Sequence, residues 1–276
     1  MKKIALASAI ALASITAAHA APTVYGKVFL TADYTDTNYD DNYRASATAT
    51  SAPNDESTVK LNSNASRIGF KGSEELTDTT KLIYQLEYGI DVDADTNGKG
   101  QFYSLDTYVG LAHNTLGTVL AGRHNTPLKI AQHKVDVFNT TLLDMKNAGV
   151  SGEYRANNVV AYKSPTIVGM PVSFMAATAL SETDADGDIL VSAASDTKPA
   201  VYRDRKVKDN GYSALLAYDK NGVYLAGAYD KDMGANNVNT TGVIDNTWRL
   251  VADLDMGKMN MVPGLALGAL YQQSQY

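Results

Sequence analysis

The chain has 276 residues, a formal net charge of −6, no cysteine, 17 tyrosines and a single tryptophan. The lack of cysteine excludes disulfides, thiolate catalysis and cysteine-ligated metal sites, and the mildly acidic balance is unlike the clustered basic footprint of a nucleic-acid-binding protein. After residue 20 no apolar stretch reaches the roughly 18 residues of a transmembrane helix, so none is predicted.

The first twenty residues predict a secretory signal peptide that is cleaved after Ala20. Lys2 and Lys3 precede an apolar run that ends near Ile15, and Ala18-His19-Ala20 has the small-residue pattern of a cleavage site. The run is too short to cross a bilayer as a helix. The mature chain would form a single β-rich domain over residues 21–276.

Apolar and polar residues alternate along most of the mature chain, and a period of two is typical of β-strands with one polar face. Within 102–112, for example, Leu105, Val109 and Leu111 would share one face and Asp106 would lie on the other. The pattern predicts eleven strands, at 23–34, 66–76, 81–91, 102–112, 118–124, 157–164, 170–179, 211–219, 223–231, 247–256 and 264–275.

The connections between these strands alternate in length. Short connections lie at 77–80, 113–117, 165–170, 220–222 and 257–264, and longer, mostly polar ones at 35–62, 92–101, 125–156, 180–210 and 232–246. This layout is typical of an antiparallel up-and-down β-barrel that crosses an outer membrane. A soluble β-sandwich also alternates apolar and polar residues and is the alternative. The regular loop alternation and the charge on one face of most strands favour the barrel.

Residues 66–76 read S-R-I-G-F-K-G-S-E-E-L and resemble the S-R-x-G-F-K-G-x-E-D-L segment of the Gram-negative general porins, which are trimeric diffusion porins. Similar matches occur at 24–26, 84–87, 108–123 and 155–165. The resemblance implies a sixteen-stranded barrel that forms a homotrimer in the cell outer membrane, in contact with lipid and lipopolysaccharide. Each protomer would hold a water-filled channel for passive diffusion of ions and small hydrophilic solutes.

The resemblance also implies an inward loop that narrows the pore, here at about 125–156, although the family's Pro-Glu-Phe-Gly-Gly-like tip is absent. The acidic residues of this loop would be Asp136, Asp144 and Glu153. Strand parity and the motif matches assign the facing basic wall to Arg67, Lys71, Arg123, Arg155, Lys27, Lys81 and Lys163. Acids and bases on opposite sides would set up a transverse field that favours oriented polar solutes.

Eleven predicted strands are an odd number, whereas bacterial single-chain barrels have even counts. Members of the resembling family are longer and finish on a terminal Phe, while this sequence finishes on Tyr276. The expectation is therefore that the sequence lacks about five C-terminal strands, because an unclosed barrel would expose sheet edges to lipid. A twelve-stranded barrel is the alternative.

Other functional classes have weaker support in the sequence. Asp184, Asp186 and Asp188 alternate as in a calcium loop but lack the acidic residue that ends an EF-hand loop, so neither a metal site nor a cofactor is predicted. G-x-S-x-G and H-E-x-x-H motifs are missing, and no enzyme activity is predicted. A barrel that acts mainly as a surface adhesin or structural anchor is the second functional hypothesis, since the long polar loops allow it.

Overall fold

A computed structural model describes most of the mature chain, at residues 21–38, 56–93, 102–166, 170–180, 187–192, 201–205, 210–233 and 246–275. The predicted signal peptide at 1–20 and the acidic positions Asp184 and Asp186 lie outside these ranges. Within them, the single helix is far too short to span a bilayer.

The described residues form fifteen strands and one short helix. In chain order they are β1 (Thr23–Lys27), β2 (Leu30–Thr37), β3 (Glu56–Ser63), β4 (Arg67–Glu75), β5 (Thr80–Ile90), β6 (Phe102–His113), β7 (Gly117–Asn125), α1 (Pro127–Ala131), β8 (Arg155–Lys163), β9 (Val172–Ala179), β10 (Gly187–Ser192), β11 (Val201–Arg205), β12 (Gly211–Lys220), β13 (Val223–Lys231), β14 (Asn246–Asp255) and β15 (Ala266–Gln275).

Eleven strands make one antiparallel sheet in the order β1-β4-β5-β6-β7-β8-β9-β12-β13-β14-β15. Each of the eleven predicted strands overlaps one of them, and the predicted all-β antiparallel class is confirmed. The sheet is not closed, so β1 and β15 are its two edges. The pairs β2–β3 and β10–β11 form separate two-stranded sheets.

The first predicted strand, 23–34, is interrupted at residues 28–29. Its first part pairs with β4 as β1, and its second part pairs with β3 as β2. Phe29 bridges the break, because its amide donates to Ser66 Oγ (3.0 Å) and its carbonyl accepts from the Asn64 amide (2.8 Å). The pairs β1–β4 and β2–β3 therefore follow one another as a single long hairpin, and the backbone groups of Phe29 at the break are still hydrogen-bonded.

The two faces of the sheet differ in the way that a membrane wall requires. On the face that we call outward, large apolar side chains such as Leu216 (57% exposed) and Leu250 (53%) are open to the surroundings. On the inward face, polar residues such as Ser213, Asp230 and Arg249 are buried. An apolar band on the outside is typical of an outer-membrane barrel, whose outer wall meets lipid.

A bulge changes the predicted faces of β6. The register shifts so that Leu86 pairs with Thr107 while Tyr88 pairs with Ser104, and two residues of β6 stand opposite one residue of β5. Leu105 is consequently buried (5% exposed), whereas Val109 is 48% exposed. The expectation that Leu105 and Val109 share one face is wrong, because a strict period of two does not survive an inserted residue.

The long segment between β7 and β8 packs on the inward face. Thr126 caps α1 by accepting a hydrogen bond from the Lys129 amide, and Pro127 occupies the first turn, where no donor is needed. Leu128 and Ala131 are fully buried in the main apolar cluster, together with Leu215, Ala226 and Val251 of β12, β13 and β14. This segment therefore covers the second half of the sheet from inside.

We predict that arginine is tolerated on one face only. Leu216→Arg places a charge on the outward face and should lower the free energy of unfolding from a lipid bilayer by about 2–4 kcal/mol. Ser73→Arg is the control, because Ser73 is exposed on the inward face of β4, two residues from Lys71. Denaturant titration in lipid vesicles measures the free energy of unfolding of both variants. An equal loss in the two would contradict the assignment of the faces.

Candidate functional site

The segment between β7 and β8 is fastened to the inward face by Arg249 of β14, whose side chain is fully buried. Its Nη1 lies 2.6 Å from Glu153 Oε1 and donates to the Leu128 carbonyl (3.2 Å). Its Nη2 donates to the Ser151 carbonyl (3.0 Å), and its Nε donates to Gln272 Oε1 (2.8 Å). We call these five residues the loop joint.

Further hydrogen bonds extend the loop joint onto β15 and β13. Gln272 Nε2 donates to the carbonyl and to Oγ of Ser151, at 3.0 and 2.8 Å, and Ser151 Oγ lies 2.6 Å from Ser274 Oγ. Next to them, the Tyr154 hydroxyl donates to Asp230 Oδ2 (3.3 Å). The second limb of the loop, which leads back to β8, is thus held by side chains of β13, β14 and β15.

The first limb of the loop, which leads from β7 to Val135, has its own contacts nearer the short turns. His133 Nδ1 lies 2.9 Å from Asp253 Oδ2, and the His133 ring stacks on the Tyr224 ring with centroids 4.1 Å apart. Val135 approaches Gly268 of β15 so closely that a Cβ at that glycine would lie 3.1 Å from Val135 Cγ2. The loop therefore reaches deep along the inward face before it turns back.

The charges of the loop joint are removed from water. Beside the loop joint, burial lowers the pKa of Lys129, and the charge of Glu153, whose Oε2 lies 3.9 Å from Lys129 Nζ, opposes that fall. Burial raises the pKa of Glu153, while the charges of Arg249 and Lys129 oppose that rise. Because desolvation is costly for each ion, the group is stable only while its partners stay in place.

The three acidic residues predicted for the loop have different surroundings. Glu153 lies in the loop joint, with 1% of its side chain exposed. Asp144 is buried and accepts hydrogen bonds from the backbone amides of Thr140 (2.7 Å) and Lys146 (2.8 Å), so it organises the turn of the loop. Asp136 is partly buried, and burial, with the charge of Asp144, raises its pKa. Two of the three carboxylates are thus engaged in holding the loop.

Three of the predicted basic residues come together at the other side of the sheet, on β1 and β4. Arg67 Nη1 lies 3.1 Å from Glu87 Oε1, and the Tyr25 hydroxyl donates to the second oxygen of the same carboxylate (3.0 Å). Lys71 Nζ lies 5.3 Å from the centre of the Tyr25 ring. Lys27 is next to them, since it pairs in register with Arg67. We call Lys27, Arg67 and Lys71 the basic group.

Arg155, Lys81 and Lys163 lie on other strands than the basic group, namely β8 and β5. Arg155 Nε lies 2.9 Å from Asp106 Oδ1, where β6 and β8 leave the sheet for the long connections. Lys81 pairs with Glu75 (3.0 Å), and both are exposed beside a short turn. Lys163 is exposed at the end of β8, also beside a short turn.

Arg123 lies on the outward face, which differs from its predicted position on the basic wall. It pairs in register with Thr107, on the face that carries the exposed Val109. Its Nε donates to the Ser104 carbonyl (3.2 Å), and its guanidinium also donates to Asn157 Oδ1. Because its register partner Thr107 lies on the outward face, Arg123 points away from the face of the basic group.

The sequence did not predict the contacts of the loop joint, or the His133–Asp253 pair that lies nearer the short turns. Alternation does place Arg249 and Asp253 on the polar face of the strand at 247–256. Their loop partners, Glu153 and His133, are separated from them by roughly 100 residues. Strand periodicity gives no information on such long-range pairs.

The chain is similar to known Gram-negative porins. The model of the Gram-negative porin family matches residues 5–276. The major outer membrane protein P.IB of Neisseria gonorrhoeae is 34% identical over 107 residues, which are 38% of this chain and 30% of that protein. An outer membrane porin protein of Bordetella pertussis is 23% identical over 267 residues, covering 90% of this chain and 64% of that protein.

Solved structures show the same fold. An anion-selective porin from Comamonas acidovorans superimposes with a TM-score of 0.60 at 19% identity, over 92% of this chain and 68% of that one. OmpF from Salmonella typhi, in a complex with daunomycin, gives a TM-score of 0.58 at 16% identity, over 92% and 66%. The chain thus spans about two thirds of the length of these porins and a smaller share of the neisserial relatives.

We predict that removing the guanidinium of Arg249 loosens the loop. Arg249→Ala leaves Glu153 buried without its main partner and should lower the free energy of unfolding by about 3–5 kcal/mol. Arg249→Lys keeps the charge but not the four contacts and should have an intermediate effect. Denaturant titration measures the loss, and hydrogen exchange of the loop amides reports where it occurs.

The control for this prediction is Lys258→Ala, which breaks an exposed ion pair with Asp255 (3.9 Å) and should change stability by less than about 1 kcal/mol. The double variant Arg249→Ala/Glu153→Gln should lose less than the sum of the two single losses, because the charges are coupled. If Arg249→Ala were as mild as Lys258→Ala, the loop joint would not hold the loop.

Proposed function

Because this chain belongs to the Gram-negative porins, a family of outer-membrane channel proteins rather than enzymes, we propose that it forms a water-filled channel for passive diffusion of ions and small hydrophilic solutes. The observation that carries the proposal is the division of the sheet into two faces. Apolar side chains are exposed outward, while charged residues and a folded loop occupy the inward face. Such a wall suits lipid on one side and water on the other.

The proposal includes the assembly and the surroundings that the family implies. The chain would be exported by its predicted signal peptide and would act as a homotrimer, with residues 21–276 belonging to the barrel. Its outward face would contact lipid and lipopolysaccharide. The outward apolar side chains support the contact with lipid, because sheet surfaces of this kind are costly to leave in water.

The proposed pore would be narrowed by the segment at 125–156 from the side of β12–β15. The loop joint supports this, because it anchors both Glu153 and Ser151 to inward side chains of those strands. The basic group lies on β1 and β4, away from the anchored loop, and Lys27 and Lys71 make no ion pair within the described ranges. We propose that its unpaired charges raise the permeability of the pore to anions.

We predict that the purified full-length protein conducts in a planar lipid bilayer. A diffusion pore should give stepwise conductance that rises almost in proportion to the salt concentration, because its selectivity depends on width and charge rather than on a tight site. Trimers should give steps of three equal levels. Correctly assembled protein that inserts without conducting would contradict the proposal and favour the adhesin or anchor hypothesis.

We predict that removing charge from the basic group changes ion selectivity. Lys27→Ala and Lys71→Ala should each lower the anion-to-cation permeability ratio by about a factor of two, because one charge across about 10 Å of water, screened by about 0.1 M salt, acts with opposite sign on anions and cations. The reversal potential in a salt gradient measures this ratio. Arg123→Ala is the matched control, since Arg123 lies on the outward face, and an equal shift in all three variants would refute the assignment.

A further inference from the structure

The short connection between β14 and β15 concentrates methionine. Three of the eight methionines of the chain, Met256, Met259 and Met261, lie within six consecutive residues. The chain has no cysteine, and the connection at 256–265 has no histidine. Thioether sulfurs are therefore the soft metal ligands that this connection provides. We call residues 255–261 the methionine turn.

The methionine turn begins as one turn of α-helix. The Met259 amide donates to the Asp255 carbonyl (3.1 Å), which is the bond between residues four apart that defines an α-helix. Asp255 also caps the turn, because its Oδ1 accepts from the Lys258 amide (3.1 Å). Met256 and Met259 are three residues apart on this turn, and side chains at that spacing lie next to each other on one side of a helix.

The turn ends in a Schellman motif, which returns the chain toward its start. The Met261 amide donates to the Met256 carbonyl (2.9 Å), and the Asn260 amide donates to the Gly257 carbonyl (3.1 Å). Asn260 has the left-handed conformation that the motif requires, with a φ of 57°. A side-chain contact between the two ends of the longer bond, here Met256 and Met261, commonly accompanies this motif. The backbone therefore gathers all three methionines on one side of the turn.

The methionine turn is fixed to its neighbours by short contacts. The Met256 amide donates to the Leu265 carbonyl (2.9 Å), and the Asp255 amide donates to the Gly222 carbonyl (2.7 Å) in the turn between β12 and β13. Met259 packs over that glycine, where a Cβ would lie 3.1 Å from Met259 Cγ. Because the backbone is held in this shape by its own bonds, little ordering is needed to bring three ligands to one ion.

We propose that the methionine turn is a binding site for a soft monovalent cation, Cu(I) or Ag(I), held by the sulfurs of Met256, Met259 and Met261. Thioethers are neutral and polarisable and favour Cu(I), whereas Mg²⁺ and Ca²⁺ require oxygen ligands. Zn²⁺ prefers thiolate and imidazole, which the turn does not contain. The inference goes beyond the proposed channel function and does not depend on it.

The position of the turn suits a cation from solution. It lies beyond Asp255 and Ala266, the last pair of β14 and β15, and so projects from the end of the sheet rather than from either face. Lys258 Nζ lies 3.9 Å from Asp255 Oδ2, and the two charges offset each other. Binding to neutral thioethers displaces no proton, whereas a histidine or thiol ligand must first be deprotonated.

The test titrates silver nitrate, in buffer without chloride, into the full-length protein in detergent micelles with ¹³C-labelled methionine methyl groups. The methyl resonances of Met256, Met259 and Met261 should shift together and saturate at one equivalent of Ag(I). The resonance of Met170, an exposed methionine of the connection at 165–170, is the internal control and should not follow them. Three separate midpoints, or a shift at one methionine alone, would overturn the inference.

The pH dependence distinguishes thioether ligands from histidine. Affinity for Ag(I) should be the same at about pH 7 and about pH 5.5, because a thioether does not titrate while a histidine gains a proton over this range. Loss of the methionine shifts at the lower pH would assign the ion to imidazole and would contradict the proposed site.

Substitutions then separate coordination from packing. Leucine has nearly the volume of methionine, so Met256→Leu/Met259→Leu/Met261→Leu should keep the fold. Its affinity for Ag(I) should fall by about tenfold or more, since changing even an outer partner of a metal ligand costs that much. Met170→Leu is the matched control and should leave the affinity unchanged. If the triple variant bound Ag(I) as tightly as the unmodified protein, the three methionines would serve only as apolar surface and the inference would be wrong. Should that variant fail to assemble, the titration of the unmodified protein still decides.

Discussion

The whole structure depends on one constraint, which is that lipid offers no hydrogen bonds to a polypeptide backbone. A sheet that crosses a membrane must pair its strands side by side and turn apolar residues toward the lipid. Leu216 and Leu250 lie exposed on the outward face for this reason, while Ser213 and Arg249 of the same strands are buried inward. In a soluble protein the apolar side chains face inward, whereas here the polar ones do, and this makes the wall suitable for a water-filled interior.

Because the interior is polar, a loop can be anchored there by charge. Arg249 holds the loop through a carboxylate and two backbone carbonyls, and Gln272 completes its set of partners. The ions add little net stability, since burial costs much of what their attraction supplies. What they provide is a defined position, with the loop on the side of β12–β15 and the basic group across the sheet on β1 and β4.

Sequence periodicity predicted the eleven strands of the main sheet, because a lipid-facing strand must alternate wherever it is regular. It failed at irregular points: the bulge that buries Leu105, and the break at residues 28–29. For the site, the basic wall stays a prediction: Lys27 and Arg67 pair in register, whereas the register of Arg123 with Thr107 turns its side chain to the outward face. The partners of Arg249 were inaccessible to local patterns, because they depend on where a distant loop folds.

The central claim, that one face of the sheet meets lipid and the other meets water, can be tested on two adjacent residues. The chain has no cysteine, so single cysteines can be introduced at Phe70 and Lys71 of β4 without background. In intact outer membranes, a charged thiol reagent that does not cross lipid should modify Lys71→Cys quickly and Phe70→Cys slowly. Equal rates at both positions, or faster modification at position 70, would contradict the account.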